Sequence, residues 1–153
     1  MKLAAWRLVR AEISDRAFDG EGARLYGGRW NPPGLPAVYA AGTRSLAALE
    51  VLVHLPKLLR TAAFALHRIE FDSAEMETLA QESVPSDWAL FPPPTSTQNC
   101  GRDWLQRAGR AVLCVPSVLI PEERNYIINP RHPDFPKLRL TRERFFFFDP
   151  RLG

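Results

Sequence analysis

The chain has 153 residues, of which 46% are hydrophobic and 24% charged, ordinary globular proportions for a single domain. Lys and Arg number 20 against 17 Asp and Glu, and the resulting net charge of +3 permits an anionic partner without demanding nucleic acid. Pro accounts for 14 residues, about 9% against a usual ~5%, which excludes an all-helical bundle and favours short elements joined by shaped loops.

Residues 1–10 (MKLAAWRLVR) read as a strand with Arg7 set among apolar neighbours. Residues 19–36 are dense in Gly and Pro and predict a shaped loop, with Arg29-Trp30-Asn31 between Gly27-Gly28 and Pro32-Pro33. Residues 37–41 (AVYAA) predict a short buried strand. A helix follows, capped by Thr43, with Leu46, Leu49 and Val53 as its apolar repeat and Pro56 marking its end. Residues 62–71 read as a strand, 73–80 as a short helix capped by Ser73, and 83–97 as a Pro-rich loop. A helix is expected over 99–109, closing on Gly109, then a buried strand over 111–115. Residues 121–136 form a second long loop with a short strand at 126–128. The tail, 137–148, ends in four Phe and reads as a strand buried on both faces. The order is α+β, without repeat, linker or internal boundary.

Cys100 and Cys114 build neither a disulfide framework nor a CxxC site, and both are expected to be reduced thiols. No signal peptide or membrane span is read, so the chain is expected to be soluble and cytoplasmic. His54, His67 and His132 match no metal-ligand spacing. Ser117 lacks a GxSxG elbow, and neither a P-loop nor GxGxxG is present.

Three residues carry the chemical interest. Glu50 falls within about 60° of Leu46 and Val53 on the helix surface, which sets a carboxylate on the stripe expected to face the core. Such a group must be paired, protonated or set in a cleft. Arg7, Arg24 and Arg29 are the available ion-pair partners; a ribose-binding or catalytic carboxylate is the other reading. Arg29 sits on a Gly-rich turn, where a guanidinium suits bidentate contact with phosphate or carboxylate. Tyr39 lies in an otherwise apolar strand, where its ring can stack on a planar heterocycle or simply hydrogen-bond inside the core. Loop, strand and helix are consecutive, so one cleft can hold all three side chains.

The segments Trp6-Arg7, GARLYGGRWNPPG, AVYAA, SLAALEVLVH, VPSVLIPEERNYIINPRHPDF and FFFFDPRL together resemble the RES domain over nearly the whole chain, 1–153. The family's Arg, Glu and Ser correspond to Arg29, Glu50 and Ser117. The resemblance implies an ADP-ribosyltransferase-like split β-sheet with a few short helices. It implies a bacterial toxin of a type II toxin–antitoxin module, silenced by an Xre-type helix-turn-helix antitoxin that covers the cleft. Its activity would be cleavage of NAD at the nicotinamide–ribose bond, by hydrolysis or phosphorolysis, or transfer of ADP-ribose to a protein. NAD is then a substrate, and no bound cofactor, metal or membrane is implied; self-association is open. By the same resemblance Arg29 holds the phosphate or ribose, Tyr39 stacks on nicotinamide and Glu50 binds the nicotinamide ribose. Arg7, Trp30, Asn31, Ser117 and Asn125 line the pocket.

Two readings from other classes compete. Arg131, Lys137, Arg139, Arg142 and Arg144 can neutralise phosphates in a nucleic-acid-binding module. A noncatalytic regulatory partner would show an exposed apolar patch and no cleft.

Overall fold

Seven strands form one mixed sheet in the order β4-β5-β6-β2-β1-β3-β7 in the computed structural model, which describes residues 1–153. The strands are β1 Lys2–Arg10, β2 Val38–Ala41, β3 Phe64–Asp72, β4 Met76–Thr78, β5 Val112–Pro116, β6 Arg124–Ile128 and β7 Arg139–Phe146. The helices are α1 Glu21–Tyr26, α2 Arg44–Leu52 and α3 Thr95–Arg107. None is long and apolar enough to cross a membrane.

The sheet divides where the site lies. β1 pairs with β3 along its whole length, Lys2 to Arg10, and β2 pairs with β6 from Val38 to Ala41. Between β1 and β2 the register holds only Trp6 opposite Ala41. The halves β4-β5-β6-β2 and β1-β3-β7 therefore meet at one residue pair and diverge on either side of it. A side chain bridges the opening: Arg7 Nη1 donates to the Tyr39 carbonyl at 2.9 Å.

The core is laid down by the central strands. β5 is buried at all five positions, which is why its apolar run carries no alternation. α2 starts as the Thr43 cap predicts, with Thr43 Oγ1 accepting from the Leu46 amide at 3.0 Å. Leu46 and Ala47 are its buried residues, whereas Leu49 and Val53 are exposed. The stripe that carries Glu50 thus borders an opening in the molecule rather than the core.

Four expectations change. Residues 73–80 are not a helix: Asp72 caps a single turn at Ser73–Glu75, and β4 then pairs in parallel with β5. Pairing with a central strand outweighs the local helical preference. α3 begins at Thr95 and ends with Ala108, not Gly109, in the left-handed conformation (φ 52°). The 19–36 loop contains α1. The tail strand is not buried on both faces: β7 has no fully buried residue and lies at the sheet edge, paired only with β3. Phe145 and Phe147 are 51% and 64% exposed; Phe148 is buried against Phe64 with ring centroids 5.3 Å apart.

His67, buried on β3, shares a 3.0 Å hydrogen bond with Ser14. Burial, then Arg7 and Arg142, hold its pKa below 6.5. The folded state favours neutral imidazole, so the unfolded chain binds the extra proton first and stability falls as pH drops below about 6.5. Denaturant midpoints measured from pH 8 to pH 5 should fall in the wild type, and His67→Gln should flatten that slope.

Candidate functional site

A cavity of about 850 Å³ opens where the sheet divides. That size suits a whole small ligand. Its wall includes Trp6 and Arg7 of β1, Tyr39 of β2, Glu50 and His54 from α2 and the turn after it, and Asn125 of β6. Arg29 and Trp30 line it from the glycine turn, and Tyr26 and Phe91, both largely exposed, stand at its mouth.

Glu50 forms none of the ion pairs open to it. Arg24 bonds Glu21, Arg7 bonds the Ala17 and Tyr39 carbonyls, and Arg29 bonds two carbonyls of the 83–97 loop. Glu50 Oε1 instead accepts from Ser117 Oγ at 2.7 Å and Asn125 Nδ2 at 2.9 Å. Both donors are neutral, so the carboxylate charge is held in place without being cancelled. Oε2 has no hydrogen-bond partner in the protein, in a side chain that lines the cavity. Ser117 is fully buried just after β5, and its Oγ also accepts from the Leu119 and Ile120 amides at 3.1 and 3.2 Å. That hydroxyl is committed to orienting Glu50.

The glycine turn is locked to Tyr39. Gly27 has φ +74°, a conformation that favours glycine. A Cβ on Gly28 would lie 2.6 Å from Tyr39 Oη, so only glycine allows this approach. Tyr39 Oη accepts from the Trp30 amide at 3.0 Å and donates to Asn31 Oδ1 at 2.6 Å. Burial raises the Tyr39 pKa, which keeps the phenol a donor. Asn31 is fully buried behind the cavity wall, with Nδ2 donating to the Ala23 and Leu35 carbonyls at 2.8 and 3.0 Å. It braces the turn and does not reach the cavity. Trp30 is 2% exposed and its ring belongs to the core beside Trp104.

Two arginines supply positive charge. Burial lowers Arg7 to about 10, opposed by Asp19, so it remains a cation at neutral pH. Burial also lowers Arg29, while Glu50 and Tyr39 act in the opposite direction. Arg29 Nη1 donates to the carbonyls of Trp88 and Leu90, both at 2.7 Å.

The structure therefore gathers Arg7, Arg29, Trp30, Tyr39, Glu50 and Asn125 on one cavity, with Ser117 behind Glu50 and Asn31 behind Tyr39. Tyr26, Trp6, His54 and Phe91 join the wall without having been singled out from the sequence as part of it. Elsewhere, Lys137 pairs with Asp134 at 3.3 Å, and Arg142 and Arg144 lie over Phe145 and Phe146. The basic segment is thus partly engaged, and the cleft required of an enzyme is present.

Fold and site define a class: an α+β protein whose divided sheet holds an oriented carboxylate, a tyrosine and two arginines around one cavity. The chain belongs to the RES domain family, whose model matches residues 4–149. It is 38% identical to Toxin Res of Yersinia enterocolitica over 148 residues, covering 96% of this chain and 97% of that protein. It is 35% identical to the Prs ADP-ribosylating toxin of a Sphingobium species over 161 residues, covering 99% and 98%. A 62-residue segment is 44% identical to NAD(+) phosphorylase MbcT of Mycobacterium tuberculosis, covering 35% of this chain and 33% of that one.

Proposed function

We propose that this chain is a toxin that consumes NAD by breaking the bond between nicotinamide and ribose. The observation that carries the reading is Glu50: a carboxylate oriented by two neutral donors, with one oxygen unpartnered in the protein, on a cavity that also holds Arg29 and Tyr39. Cleaving that bond builds positive, oxocarbenium-like charge on the ribose. A fixed carboxylate lowers the barrier because its charge is already aimed and needs no reorganisation. Ser117 and Asn125 supply that aim.

Arg29, with Arg7 as a second cation, binds the pyrophosphate and so orients the scissile bond. Tyr39, fixed at its hydroxyl, presents its ring to the nicotinamide. Nicotinamide leaves with the electron pair of the broken bond, and the ribose carbon takes an acceptor. Water would give ADP-ribose and inorganic phosphate would give its phosphorylated form. NAD is a substrate in this scheme, and the residues named need no further cofactor. An Xre-type helix-turn-helix antitoxin silences the activity by covering the cleft.

The alternative acceptor is a protein side chain, which would make the chain a mono-ADP-ribosyltransferase. The full-length similarity to a protein named for ADP-ribosylation favours it, whereas the match to a phosphorylase spans 62 residues. Mass analysis of the products formed with and without phosphate, and with a bacterial lysate, decides. Free ADP-ribose or its phosphate without protein labelling supports depletion, and labelled protein supports transfer. In the same assay Arg29→Ala is expected to raise KM for NAD by about tenfold or more, the order of one charge-assisted hydrogen bond.

A further inference from the structure

The 83–97 loop, which the proposed chemistry does not use, makes the closest contacts to Arg29. Trp88 and Leu90 turn their carbonyls onto a single nitrogen, Nη1, each at 2.7 Å. Nε and Nη2 have no hydrogen-bond partner in the protein. These two nitrogens form the edge of a guanidinium that pairs with an oxyanion through two parallel bonds. The loop occupies the remaining nitrogen and leaves that edge free.

The loop is itself built to hold this shape. The Trp88 amide donates to the Pro85 carbonyl and the Leu90 amide to the Asp87 carbonyl, both at 3.1 Å. Trp88 packs against the core around Trp104. Ser96, in the first turn of α3, donates to Asp87 Oδ1, which ties the loop to the helix that follows. The same helix grips the backbone of the arginine's turn: Gln98 Nε2 donates to the Gly28 carbonyl at 3.1 Å, and Gly101 packs directly beneath the Trp30 carbonyl. One stretch, 85–101, therefore fixes Arg29 at both ends, at its backbone and at its guanidinium.

We infer that the 85–94 loop is a positioning element that presets the Arg29 guanidinium for a pyrophosphate, with the bond from Ser96 of α3 to Asp87 as the tie that sets the loop. The identity of the pyrophosphate as part of NAD rests on the reading above. A long flexible side chain loses rotamer freedom when it binds an anion, and presetting removes part of that loss. Asp87 and Ser96 do not line the cavity, so they act only through the loop.

The test uses Asp87→Ala, Ser96→Ala and the conservative Asp87→Asn, whose amide oxygen still accepts from Ser96. Folding of each is checked by near-UV circular dichroism, and Ser96→Ala carries the test if Asp87→Ala does not fold. Two quantities are read: binding of inorganic pyrophosphate by calorimetry, and KM and kcat for NAD. Asp87→Ala and Ser96→Ala should weaken pyrophosphate and raise KM by about five- to tenfold with kcat nearly unchanged. Asp87→Asn should match the wild type, and in an Arg29→Ala background Asp87→Ala should add nothing. Unchanged pyrophosphate affinity in the folded variants overturns the inference. Tighter binding also overturns it, since the loop would then mask Arg29. An equal loss without Arg29 shows that the loop acts elsewhere. Pyrophosphate binding that depends on Arg29 and Asp87 in a protein that leaves NAD intact would sustain the inference and refute the NAD reading.

Discussion

Glu50→Gln should fold normally and lose at least about a hundredfold in NAD turnover, the scale of removing one preorganised electrostatic group. The substitution keeps shape and volume. Its amide oxygen can still accept from Ser117 and Asn125, the two bonds at 2.7 and 2.9 Å that tie α2 to the ends of β5 and β6. What disappears is the negative charge that, in the proposed reaction, stabilises the ribose as its bond to nicotinamide breaks. KM should change little, since the proposal assigns ground-state binding to Arg29 and Tyr39. Steady-state kinetics with a thermal unfolding control gives both parts. A folded, fully active Glu50→Gln would remove Glu50 from the chemistry.

Gly101→Ala should destabilise the fold by about 3 kcal/mol or more, beyond ordinary overpacking, since backbone stands in the way. A Cβ there would lie 1.5 Å from the Trp30 carbonyl oxygen and 2.4 Å from its carbon. No rotamer relieves a clash with main chain, so α3 must move off the turn that carries Arg29. If the variant folds, its pyrophosphate affinity should drop as well. Gly22→Ala is the control: nothing lies within 4 Å of its Cβ, and in helix α1 alanine should gain up to about 1 kcal/mol over glycine. Equal stability of the two variants would contradict the close contact between α3 and the turn.

The conjunction of Arg29, Tyr39 and Glu50 was legible because they fall on three consecutive elements and because Glu50 breaks an apolar stripe. Ser117 and Asn125 lie 67 and 75 residues from Glu50 in the chain, and no local pattern joins them to it; only the family resemblance placed them near the pocket. Asn31 shows the limit of a motif, since it belongs to GGRWN yet serves the turn from behind. The carbonyls of Trp88 and Leu90 were invisible for a deeper reason: every residue has a carbonyl, so composition cannot announce which ones will meet an arginine. The four-Phe tail misled because apolar content does not say whether another layer covers a strand's faces: β7 has no fully buried residue, and only Phe148, beyond its end, packs inward against Phe64.

The sheet's division unites these features. One residue pair, Trp6 with Ala41, joins the two halves, and the cavity, Arg7, Tyr39 and Glu50 all gather there. The proline-rich loop at 92–94 borders the same opening through Pro93, so part of the composition that first set the chain apart has a structural place. If this opening breaks the nicotinamide–ribose bond, the purified protein releases free nicotinamide from NAD, measured beside Glu50→Gln at equal concentration. The wild type should release nicotinamide matched by loss of NAD, and the variant almost none. Intact NAD with the folded wild-type protein, across water, phosphate and lysate as acceptors, would contradict the proposed cleavage.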